Sequence, residues 1–246
     1  MTKSSIIEIK SDQKCLFEPF GALKKSENQT LMLDIDDPET LKDEALAELL
    51  RQSYQGGPGP VAGISTSKYD LFDFIDRDKD LYNTALEFFT QTMEIMQKSK
   101  KPYSRKDSYS KPAITLPIPI LIIRANHIIK INDYEMAYNN IFLALEALAK
   151  SADQLGVFMA FENPASGILL SPLEIRGILN HFNTPYAGLC FNPGHASKLG
   201  SPIDWLNIFD RRVLALLMSG DWPEIQARYE QIPLCGTIIQ TKIEQP

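Results

Sequence analysis

The run Leu155-Gly-Val-Phe-Met-Ala-Phe-Glu-Asn-Pro-Ala-Ser-Gly-Ile-Leu-Leu-Ser-Pro-Leu-Glu174 leaves the chain few folds to choose from. Val157 to Phe161 are apolar without alternation, as in a parallel strand covered on both faces. Gly156 closes the helix before it, and Glu162 stands where the strand runs out. Ser171-Pro172-Leu173-Glu174 then offers an N-cap, a proline at the first helical position and a capping-box glutamate. A carboxylate at the C-terminal end of a parallel strand faces the loops where α/β folds keep their chemistry.

The same rhythm surrounds this unit. Ile118–Arg124 reads as a strand whose end carries Arg124, Asn126 and His127. Asn132 or Asp133 caps a helix reaching Gln154, with Ala137, Ile141, Leu145, Leu148 and Ala152 as its apolar stripe. A helix from Pro172 to about Phe182, a strand Tyr186–Phe191, a short helix Asp204–Phe209 and a strand Val213–Met218 follow. A helix Pro223–Gln231 and a last strand Gly236–Ile243 complete the pattern. From residue 118 onward strand and helix alternate four times, which predicts parallel βα units. The N-terminal half fits more loosely. Ser5–Lys10 is a short β-type run, Leu31–Leu33 a weak strand inside the polar segment Ser11–Asp37, Pro38–Gln52 an amphipathic helix, Val61–Thr66 a strand and Asp80–Lys98 a second helix. Lys100–Lys111, rich in Lys, Ser, Tyr and Pro, predicts a loop.

A chain of 246 residues has the length of one α/β barrel, so a single domain over 1–246 is expected, irregular in its N-terminal half. Net charge of −6 and pI near 5.2 argue against nucleic acid or an anionic membrane as partner. Cys15, Cys190 and Cys235 form no CxxC pair, and no run approaches a membrane span. A soluble protein of a reducing, cytoplasmic compartment is expected, with self-association into a homo-oligomer left open.

If the strands are parallel, one face collects Arg124, Asn126, His127, Glu162, Asn163, Asn192, His195, Met218, Asp221 and the end of the last strand. Glu162 and His195 suit the start of a divalent metal site, yet two residues do not fill a coordination sphere. A strand-end glutamate is as readily the structural partner of an arginine. Arg124 and His127 together suit an anion, His181 reads as a helix C-terminal residue, and the cysteines read as small buried groups. Trp205 and Trp222 suit packing, and Trp222, beside Asp221, also suits a ligand platform.

Four segments carry a family resemblance: Gly156-Val-Phe-Met-Ala-Phe-Glu-Asn163, Gly167-Ile-Leu-Leu-Ser-Pro172, Gly188-Leu-Cys-Phe-Asn-Pro-Gly-His195 and Arg212–Trp222. Their succession resembles the xylose-isomerase-like (β/α)8 TIM barrels, and within them the sugar phosphate isomerase/epimerase family. The likeness covers residues 118–244 and extends loosely to Leu41–Gln97. It implies a divalent metal (Mn, Mg, Co or Zn) held by Glu, Asp, His and Glu at four strand ends. It also implies glutamates that move a proton on and off the carbon beside a carbonyl. Position by position, Glu162 matches the first glutamate and His195 the histidine of the Asp-x-x-His motif, whose aspartate is Asn192 here. The histidine of His-x-x-Asp falls on Met218, with Asp221 as its aspartate, and the last glutamate falls on Thr241, or on Gln240 one place earlier.

Three of the four implied ligands are therefore replaced, and a cation would meet one carboxylate where the family offers three. The resemblance implies an isomerase or epimerase of a small carbohydrate or polyol with a degenerate, weak or absent metal site. Glu162 and His195 are its expected catalytic residues, and Arg124, Asn126, His127, Asn163, Asp221 and Trp222 its expected substrate contacts. The alternative is a non-catalytic barrel that binds a carbohydrate-like ligand or a protein partner. A metal-dependent endonuclease, the third reading, conflicts with the acidic pI.

Overall fold

The computed structural model describes residues 3–8, 29–35, 37–42, 44–54, 61–77, 80–100, 119–125, 127, 130–232 and 237–241. Eight strands pair in chain order and all in parallel: β1 (Lys3–Glu8), β2 (Gln29–Asp34), β3 (Val61–Ser65), β4 (Ile120–Ile123), β5 (Phe158–Glu162), β6 (Ala187–Phe191), β7 (Val213–Ser219) and β8 (Thr237–Thr241). They close into a barrel through β8 against β1. The described helices are α1 (Glu44–Ser53), α2 (Asp80–Ser99), α3 (Tyr134–Leu155), α4 (Pro172–His181), α5 (Pro193–Ala196), α6 (Pro202–Phe209) and α7 (Pro223–Tyr229). None of the described helices is long and apolar enough to cross a membrane.

The irregularity expected of the N-terminal half is seen between β2 and β3, where the register slips between Leu31 and Met32. The weak Leu31–Leu33 signal is the middle of β2, which pairs with β1 over its whole length, Lys3 opposite Gln29 to Glu8 opposite Asp34. The helix expected over Pro38–Gln52 is two elements, a 3-10 turn Pro38–Lys42 and then α1. The Asp37 carboxylate accepts from Glu39 N–H at 3.0 Å and tightens that entry. The loop expected over Lys100–Lys111 lies, apart from Lys100, outside the described residues, as do Cys15, Cys235 and Asn126.

The C-terminal units follow their local chemistry. Asp133 caps α3 by accepting from Met136 N–H, and α3 ends at Gly156 in the left-handed region, φ 62°. The capping box of α4 forms as the sequence predicts, with Ser171 and Glu174 reciprocating. His181 is the last residue of α4.

Strand residues alternate between two buried layers. Met32, Ile120, Ile122, Ala160, Cys190, Ala215, Leu217 and Ile239 fill the barrel interior. Leu121, Ile123, Met159, Phe161, Leu189, Phe191, Leu216 and Met218 pack outward into the shell beneath the helices. Both faces are apolar, so the interior is packed core and chemistry is confined to the mouth. Between β6 and β7 the register slips, Leu189 facing Val213 and Cys190 facing Ala215. Gly188 sits at this irregularity, where a β-carbon would fall 2.5 Å from the Arg212 carbonyl oxygen.

Candidate functional site at the barrel mouth

Glu162 is the last residue of β5 and shares the inward phase of Ala160. Its side chain is 0% exposed. The residues around it explain how a carboxylate survives there. Arg124, directly after β4, donates through Nε to Oε2 at 2.8 Å, and Ala125 N–H donates to the same oxygen at 3.2 Å. Asn192 donates through Nδ2 to Oε1 at 2.7 Å, and His195 Nδ1 lies 3.4 Å from that oxygen. Burial alone would push the Glu162 carboxyl up. The Arg124 charge, His195 and the Asn192 and Arg124 hydrogen bonds outweigh burial and hold it below the usual carboxylate value. Glu162 is ionised, paired and enclosed.

Asn192 caps the short turn α5, accepting through Oδ1 from His195 N–H at 3.2 Å. Its amide is thereby oriented: the oxygen faces the turn and the NH2 faces Glu162. Asn163 is fully buried and both ends of its side chain hold the Asn192 backbone. Nδ2 donates to Asn192 O at 3.1 Å, and Oδ1 accepts from Asn192 N–H at 2.7 Å. Asn163 therefore joins β5 to β6 and is closed to a ligand, against its expected place as a substrate contact. His195 Nδ1 lies 2.9 Å from Asn163 O, and because a carbonyl only accepts, Nδ1 carries the proton in the neutral ring. Nε2 is then the acceptor, on a side chain that is 21% exposed.

The other expected site residues divide. Met218 does not join Glu162: its strand phase turns it outward into the shell, where it is buried. Thr241 ends β8 opposite Ser219, and Gln240 is opposite Met218; the side chains of both lie outside the described residues. Asp221 is exposed on the loop after β7, and Trp222, at the start of α7, packs part-buried against the shell. Arg124 and His127 do not meet about an anion, since Arg124 engages Glu162 and His127 engages Asp70. Asp70 and Asp34 were not singled out in the sequence. Asp34 ends β2 with the inward phase of Met32, close enough to help hold Arg124 charged. Asp70 was legible as the first residue of an Asp-x-x-Asp capping box.

The arrangement does not fit a divalent ion. A cation needs several converging acceptors, and both oxygens of the Glu162 carboxylate already face donors: a guanidinium, a backbone N–H and the NH2 end of an amide. Among the described residues no three His, Cys, Asp or Glu side chains group as a metal site would require. Among the described residues, the cation paired with Glu162 is the Arg124 guanidinium.

Acid should report on this network. A carboxyl whose folded pKa lies below its unfolded value of about 4.3 stabilises the fold above that pH. The contribution is lost as pH falls through the folded value. Urea midpoints measured from pH 6 to pH 3 are expected to fall more steeply for the wild type than for Glu162→Gln. Equal slopes would show that Glu162 is not held ionised.

No family model matches the sequence, and no curated protein matches it. Solved structures do. The 3-keto-D-glucoside 4-epimerase YcjR from E. coli superposes with a TM-score of 0.71 at 10% identity, covering 100% of this chain and 95% of that one. A xylose isomerase domain protein from Planctomyces limnophilus gives 0.62 at 12%, covering 98% and 90%. The IolI protein with a bound zinc atom gives 0.59 at 16%, covering 100% and 90%. The fold is a (β/α)8 TIM barrel, similar to that of the epimerase and of the xylose isomerase domain protein.

Proposed function

We propose that the barrel mouth binds a small carbohydrate or polyol without a divalent metal, through His195 and Arg124, with Glu162 as their buried counter-charge. The full burial of Glu162 carries this reading. A proton carrier must come within about 2.6–3.2 Å of the group it serves, and a carboxylate with no accessible surface does not reach a substrate carbon. Its depressed pKa also makes it a weak base. Arg124 and His195, at 18% and 21% exposure, are the polar side chains of the cluster that a ligand can touch. The carbohydrate class rests on the likeness of fold to sugar epimerases.

A second reading keeps turnover. The Nδ1-protonated tautomer of His195 leaves Nε2 as a base, and one base suffices for exchange of a proton beside a carbonyl. One experiment separates the two. Binding of unphosphorylated ketoses (D-fructose, D-tagatose) is followed by calorimetry in EDTA and in Mn²⁺, and the same sugars are followed by proton NMR in D2O with the protein. The binding reading expects EDTA-insensitive affinity that His195→Ala weakens at least tenfold, with no deuterium uptake. Deuterium at the carbon beside the carbonyl would instead establish turnover, and binding that appears only with Mn²⁺ would overturn the metal-free site.

A further inference from the structure

The mouth holds a second buried carboxylate under an imidazole. Asp70 lies in the loop after β3, and its side chain is 2% exposed while that of His127 is 56% exposed. Asp70 Oδ1 accepts from Phe72 N–H at 2.8 Å, which is all that capping the 3-10 turn Leu71–Phe74 requires. Oδ2 does something else. It accepts from His127 N–H at 3.2 Å and lies 2.6 Å from His127 Nδ1. The loop that carries it is fixed independently, by Asp70 N–H donating to Asp73 Oδ2 at 2.8 Å and Leu71 N–H donating to Arg124 O at 2.9 Å. Both oxygens of Asp70 accept from backbone N–H groups, so the carboxylate is the acceptor for the ring and Nδ1 is the donor.

We propose that Asp70 and His127 form a ligand-binding dyad at the barrel mouth, in which the carboxylate fixes the imidazole as its Nδ1–H tautomer and Nε2 accepts a hydrogen bond from a ligand hydroxyl. The inference rests on the polyol-binding reading of the mouth. Its physical basis is the orientation of a histidine by a carboxylate on the far nitrogen, which sets both tautomer and ring plane and strengthens the near nitrogen as an acceptor. A link that only joined two loops would be complete with the backbone bonds from Phe72, Leu71 and His127. The ring bond adds nothing to capping and leaves Nε2 as the acceptor on a side chain that is 56% exposed. Asp70 is the positioning residue and His127 the contact.

The chain has three histidines, so imidazole nitrogen NMR resolves each of them. At pH 8 the His127 ring is expected in the Nδ1–H tautomer, against the Nε2–H form usual for free histidine. Asp70→Asn should abolish that preference. Adding D-fructose should shift His127 Nε2, and His127→Ala should weaken the sugar about tenfold, whereas Asp70→Asn should weaken it with the same Nε2 signal displaced. A wild type that binds the sugar and shifts His195 but leaves His127 unmoved overturns the dyad alone. An Nε2–H tautomer at His127 overturns it as well. A wild type that binds no carbohydrate overturns the polyol-binding reading, and the dyad's ligand role falls with it.

Discussion

Arg124→Met is expected to destabilise the fold by about 3–5 kcal/mol, because it removes one partner of a buried ion pair and leaves the other charged and enclosed. Methionine preserves much of the apolar stem, so the loss reports on the guanidinium more than on packing. Glu162 is 0% exposed, and it would keep only Ala125 N–H, the Asn192 amide and the His195 ring. The double variant Arg124→Met/Glu162→Gln should recover most of the loss, since a neutral amide needs no counter-charge. Urea denaturation of the wild type, both single variants and the double variant measures the coupling. A cost for Arg124→Met below about 1 kcal/mol, the range of an exposed pair, would show that the two groups are solvated and not coupled as described.

Gly188→Ala should be comparably severe for a different reason. The added carbon would stand 2.5 Å from the Arg212 carbonyl oxygen and 2.6 Å from Leu214 Cγ. A side chain can rotate away, but the backbone oxygen belongs to the segment entering β7 and moves only with the strand. Overpacking in a core costs about 1–3 kcal/mol and more where the backbone must shift, so at least the upper end is expected, with loss of β6–β7 pairing. Gly177 in α4 is the internal control. Nothing lies within 4 Å of the place a β-carbon would take there, and Gly177→Ala should stabilise by about 0.5–1 kcal/mol through helix propensity. Thermal unfolding of the two variants side by side decides it, and a Gly188→Ala protein as stable as the wild type would mean that β6 and β7 approach less closely than described.

Much of the fold was legible because βα units announce themselves locally. Gly156 and the Ser171–Glu174 box are read from sequence and observed with their bonds in place. The gathering of Arg124, Glu162, Asn192 and His195 at one end also followed from strand ends alone. The phase of a fully buried strand did not. Val213–Ser219 is apolar on both faces up to its last residue, so the residues carry no alternation to say which face Met218 takes, and only the paired register shows it directed to the shell. Polarity within a residue was hidden too. That Asn192 turns its NH2 and not its oxygen to Glu162 depends on the His195 N–H it caps, a partner three residues on in a turn whose geometry had to be seen. Asp70 and His127 meet across 57 positions of chain, beyond any local pattern.

The loops after β3, β4, β5 and β6 are tied in sequence by side-chain and backbone bonds: Asp70 to His127, Arg124 and Ala125 to Glu162, Glu162 to Asn192, and Asn163 to Asn192 and His195. In these four loops, ordering that a flexible mouth would undergo on capture has already taken place during folding. On the proposed function, a polyol would then give up its own freedom on binding and ask little of these loops, so that a few hydroxyl contacts could suffice. The same rigidity sets a limit. Four loops stitched before a guest arrives favour discrimination by fit over reshaping around it.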